Sequence, residues 1–75
     1  MEHKSLLTLQ EGDRSFVKNL LSTGSIRRRL QDLGIIEGAP ISCVQKSPFG
    51  DPVAYEICGA IIALRAEDAG NILIA

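Results

Sequence analysis

The chain has 75 residues, with eight Lys and Arg against nine Asp and Glu and a formal charge of −1. That near-balance argues against a nucleic-acid module, which draws most of its affinity from a basic excess, and no apolar run approaches the ~20 residues of a membrane span. With no Trp and only Phe16, Phe49 and Tyr55 aromatic, one small domain over 1–75 must build its core from Ile, Leu, Val and Ala.

The opening "MEHKSLLTLQ" has too short an apolar run for a signal peptide, so a soluble, cytoplasmic chain is predicted. "LLTLQEGDR" begins extended and turns at Gly12-Asp13. "RSFVKNLL" has strand composition, but Phe16, Val17 and Leu20 do not alternate, which predicts a bulge or strong bend. After the loop "LSTG", Ile26, Leu30 and Leu33 recur at helical spacing and predict a helix with that stripe facing inward. Ser25 or Thr23 serves as its N-cap, and Gly34 stands where a left-handed residue ends a helix.

Beyond the "EGAP" turn, "ISCVQK" and "VAYEI" read as paired strands joined by "SPFGDP", whose prolines, glycine and aspartate are turn chemistry. Gly59 marks a turn or bulge before a further strand, "AIIAL". "RAEDA" suffices for about one helical turn, and "NILIA" closes the chain as a last strand. Five short strands, one helix between the first and second, and a helical turn before the fifth predict a mainly β fold. Such strands lose their edges best by closing into an SH3-like small five-stranded barrel.

Cys43 shares a strand face with Ile41, whereas Cys58 falls opposite Val53, Tyr55 and Ile57. Alternation puts Cys43 inside and Cys58 outside, so no disulfide is expected. The only histidine is His3, Cys58 has no histidine partner, and the adjacent Glu67-Asp68 lie in a terminal turn. That inventory points to no enzyme, because nucleophilic or acid–base chemistry needs a base in reach. His3, Cys43 and Cys58 are also too scattered for a metal site within one chain, which leaves open a weak Fe²⁺ or Zn²⁺ site through Cys58 or shared between molecules. "SPFGDP" has one glycine and two prolines, too few N–H donors for a phosphate cradle. Phe49 at its tip either folds back on the barrel, the favoured reading, or stands as an exposed contact.

"IRRRL" holds three consecutive arginines. A helix advances about 100° per residue, so they splay rather than form one patch. Arg28 then points to solvent, while Arg27 and Arg29 flank the buried stripe with their stems over its edges. This geometry favours a solvated helix over a recognition helix, and leaves protein docking open, since Arg is enriched at interfaces.

"IRRRLQDLGIIEGAPI", "SPFGDPVAYEI" and "GAIIALRAEDAGNILI" together closely resemble the FeoA family. The resemblance runs from about Leu6 to Ile74 through the helix Ile26 to Gly34, Gly38, the hairpin Ser47 to Pro52 and the strand Gly59 to Arg65. Two departures are Glu37-Gly38 in place of the family's Pro-Gly and Phe49 in place of Leu. The resemblance implies an SH3-like cytosolic accessory of ferrous iron transport that is no enzyme and that docks on the membrane transporter FeoB, as a monomer or weak homo-oligomer. On that reading the candidate docking residues are Arg27, Arg28, Arg29 and Phe49. Two alternatives remain. One is a transition-metal-binding regulatory module, similar to the SH3-like domain of iron-dependent repressors. The other is a nucleic-acid-binding barrel.

Overall fold

The computed structural model describes residues 4–75, so His3 lies outside the described residues. Strand β1 (Lys4–Ser5) leads into a 3₁₀ turn (Leu6–Thr8), then β2 (Arg14–Leu20) and helix α1 (Gly24–Asp32). Strands β3 (Pro40–Lys46), β4 (Val53–Ile57) and β5 (Ala60–Leu64) follow, then the one-turn helix α2 (Ala66–Ala69) and β6 (Ile72–Ile74). They form one antiparallel sheet in the order β1-β6-β2-β3-β4-β5. The mainly β architecture with α1 after the long first strand and α2 before the last is as the sequence predicts.

The sixth strand is the addition. Lys4–Ser5 pairs with Leu73–Ile74, and the chain then coils instead of extending, with the Thr8 hydroxyl donating to the Ser5 carbonyl at 2.8 Å. That turn sends Leu6 and Leu9, three residues apart, to the same buried side. Strict alternation would have put them on opposite faces.

The predicted irregularity in β2 is a bulge between Val17 and Asn19, where the register against β6 shifts. It explains how Val17 and Leu20, at odd spacing, both point into the core while Phe16 stays exposed. From Ile41 to Cys43 alternation holds against β4: Ile41 faces Ile57 and Cys43 faces Tyr55 across the ladder, all four buried, before the register shifts between Cys43 and Gln45. Cys43 is inside, as parity requires, and Cys58 is outside, both free thiols. Cys58, however, is not a strand residue. With Gly59 it forms the two-residue turn between β4 and β5, both at positive φ (51° and 82°), the mirror-type geometry that matches strand twist.

Helix α1 ends as its sequence dictates. Gly34 takes φ 100°, its N–H donates to the Gln31 carbonyl, and the Ile35 N–H reaches back to Leu30. This is the paired bond pattern of a Schellman stop, with Leu30 and Ile35 both buried to complete its hydrophobic contact. At the other end Thr23 is the extended cap residue, without a side-chain bond.

The inward stripe is a correction. Only Leu30 is buried; Ile26 is 51% exposed and Leu33 39%. Periodicity names the residues that share a face but not how close that face comes to the core. Ile35, just beyond the helix, is fully buried instead. Among the described residues no polar or charged residue is buried, and no helix is long and apolar enough to cross a membrane.

Candidate functional site

The three arginines divide as helical geometry requires. Arg28 is exposed on the outer face, and Arg27 and Arg29 lie at the two borders. Arg27 is half-buried, and its Nη1 donates to the Leu20 carbonyl at 2.8 Å. It therefore ties the start of α1 to the end of β2, a bond to a residue seven positions back that no local pattern announces. Arg29 lines a groove of about 390 Å³, with Ile26, Leu30 and Leu33 of α1 on one side and Ala63, Leu64 and Arg65 on the other. Glu67 and Asp68 also line it, and with Ile26 they line a neighbouring depression beside Thr23 and Asn71. The two recesses thus form one trough along α1, floored by the apolar residues that the sequence assigns to the core.

Phe49 is the second correction. It is 95% exposed and does not fold back. Its turn is closed by the Gly50 N–H donating to the Ser47 carbonyl at 2.9 Å. Asp51 anchors the tip: its carboxylate accepts from the Ala66 N–H at 3.0 Å, capping the first turn of α2 from a distant loop. Phe49 does not line the groove, but its hairpin is fastened one residue beyond Arg65, which does. The structure thus brings Arg29 to the groove, leaves Arg28 on the outer face, gives Arg27 a bond within the fold and presents Phe49 at a separate tip.

Little here favours bond-making chemistry. Burial pushes the Cys43 thiol up, with Glu11 and Asp13 adding to it against the lowering effect of Lys46. Burial, aided by Cys43, pushes the Tyr55 phenol up to about 12. Both are therefore protonated near neutrality, poor nucleophiles or ligands in that form. Among the described residues no three His, Cys, Asp or Glu gather to hold a metal.

A family model described as the FeoA domain matches residues 4–75. The chain belongs to the FeoA family. A curated relative, the "Fe(2+) transport protein A/Fe(2+) transporter FeoB fusion protein" of Porphyromonas gingivalis, is 36% identical over 67 residues, 89% of this chain but 8% of that protein. The solution structure of a FeoA protein from Chlorobium tepidum superposes with a TM-score of 0.90 at 32% identity, covering 95% of this chain and 68% of that one. A crystal structure of Stenotrophomonas maltophilia FeoA, complexed with zinc and described as an SH3 domain protein, matches with a TM-score of 0.85 at 25% identity, over 96% of this chain and 89% of that one. This FeoA domain is accordingly SH3-like, and its trough and hairpin tip are surfaces of that fold.

Proposed function

We propose that this chain is a cytosolic, non-enzymatic accessory of bacterial ferrous iron transport that docks on the cytosolic part of FeoB. The observation that carries this reading is the P. gingivalis relative, in which a FeoA-like segment and the transporter share one polypeptide. Covalent linkage raises the effective concentration of two modules that work together. Support also comes from the surface. Phe49 is an almost fully exposed aromatic on a hairpin pinned by Asp51. Arg28 and Arg29 project beside the half-exposed Ile26 and Leu33, the mixture of apolar and arginine side chains that protein interfaces favour. Arg27 supports the same face by holding α1 in place. Pull-down on the transporter's cytosolic domain tests the reading: wild type is retained, and Phe49→Ala and Arg28→Glu are lost. Equal retention of all three puts the docking surface elsewhere.

The zinc complex of the S. maltophilia protein favours a second reading, a metal-binding regulatory module. Cys58 and Glu56 line one shallow depression, and two molecules together would supply enough ligands. Calorimetry with Zn²⁺ or Fe²⁺ decides it: heat that disappears in Cys58→Ser supports it, and no heat dismisses it.

A further inference from the structure

Helix α1 is fastened at few points. Of its nine residues only Leu30 is buried. Among the described residues, one hydrogen bond ties a side chain of the helix to the rest of the fold, from Arg27 to the Leu20 carbonyl. An isolated helix shorter than about 12–15 residues is marginal in water, so one of nine depends on its packing. Its first turn adds little, because Thr23 gives no side-chain bond and no acid stands there. Ile26 and Leu33, which a fully seated helix would bury, are half-exposed over the groove that separates them from Ala63 to Arg65.

Each end of α1 meets the rest of the chain at a glycine. Gly24 opens it at φ 66°, with nothing within 4 Å of where a Cβ would stand, and Gly34 follows it at φ 100°. Glycine turns more freely than any other residue. Both lie just inside pinned positions: the Leu21 N–H donates to the Asn71 carbonyl at 2.7 Å, and Ile35 is fully buried. The chain between these pins contains the helix and no strand. Strands β3 and β4, by contrast, are bonded to each other over the buried Ile41, Cys43, Tyr55 and Ile57. Segments with little buried apolar surface open at a lower free energy than the core.

We infer that α1 is a lid, hinged at Gly24 and Gly34 and latched by Arg27 on Leu20, that lifts as one unit while the sheet stays folded. Lifting uncovers Leu30 and the Leu64 wall of the groove, and it moves Ile26, Arg28, Arg29 and Leu33 together. The lid belongs to the chain alone, whether or not that chain docks on FeoB. Once released, so short a helix unwinds, so its amides report the opening. Native-state amide exchange, followed by NMR on the full chain through a series of low urea concentrations, tests the lid. The amides from Arg28 to Ile35 are expected to share one opening, nearly independent of urea and at least about tenfold more frequent than that of the β3 and β4 amides. Arg27→Met makes this opening at least about tenfold more frequent, and Arg28→Ala leaves it unchanged. If the α1 amides match β3 and β4 in both frequency and urea dependence, α1 opens only with the whole fold and the lid is overturned. Openings graded from one end of α1 mean fraying and overturn it as well. Unaltered α1 exchange in Arg27→Met overturns the latch. The wild-type urea series decides alone if that variant does not fold.

Discussion

Tyr55 is fully buried and its hydroxyl has no hydrogen-bond partner, a combination that allows a test on an isolated group. Leaving a hydroxyl buried and unpaired costs about 1–3 kcal/mol, so Tyr55→Phe, which keeps the ring and deletes the oxygen, stabilises the fold by about 1 kcal/mol at neutral pH. For a domain of this size that raises the melting temperature by roughly 4–8 °C. The same burial raises the phenol to about 12. The unfolded phenol loses its proton near its ordinary value of ~10 while the folded one retains it, so the unfolded state binds fewer protons and stability falls with rising pH. The contribution is whole below ~10, declines through the window up to about 12, and amounts to a few kcal/mol. Tyr55 is the only tyrosine and there is no Trp, so tyrosinate absorbance of the folded chain reports this group alone. Urea unfolding from neutral to alkaline pH should show that decline in wild type and its loss from the Tyr55→Phe curve. A folded-state tyrosinate transition near the ordinary value, or a Tyr55→Phe variant less stable than wild type at neutral pH, would refute the reasoning.

Other outcomes follow from the same contacts. Arg27→Met keeps most of the aliphatic stem but removes the bond to the Leu20 carbonyl, costing about 1.5–3 kcal/mol in urea unfolding, whereas Arg28→Ala on the exposed outer face changes it by less than about 0.5 kcal/mol. Gly34→Ala meets only the Cys58 sulfur, at an ordinary 3.7 Å, so its cost is the left-handed backbone alone, about 1–2 kcal/mol in thermal unfolding. Asp51→Ala uncaps α2 and costs about 1 kcal/mol, checked by the same unfolding and by loss of order at the hairpin tip in NMR. Phe49→Ala leaves the melting temperature unchanged, since a residue 95% exposed contributes no packing, and its effect is confined to binding.

The sequence speaks clearly where structure is set by neighbours along the chain. Gly34 and the helix it ends, the bulge after Val17, the turn before Ala60 and the opposite facing of the two cysteines follow from backbone conformation and periodicity. It is silent where a residue's role is fixed by a distant part of the chain. The Arg27 bond to Leu20 and the Asp51 cap on Ala66 join segments that only the fold brings together. Ile26 and Leu33 carry a helical core signature yet line a groove, because α1 is seated by Leu30 and the buried Ile35 and stands away from β5 along the rest of its length. Phe49 shows the converse. Hydrophobicity argues for burial, but the turn from Ser47 to Gly50 projects the ring away from any surface that would receive it.

The central claim, that this FeoA domain works by docking on FeoB through α1 and the hairpin tip, is tested most directly by NMR shift mapping. The transporter's cytosolic domain is added to the full labelled chain. The account expects saturable shifts concentrated at Ile26, Arg28, Arg29, Leu33 and Phe49. Absence of any shift, or shifts confined to the opposite side of the sheet around β2 and β3, would contradict it.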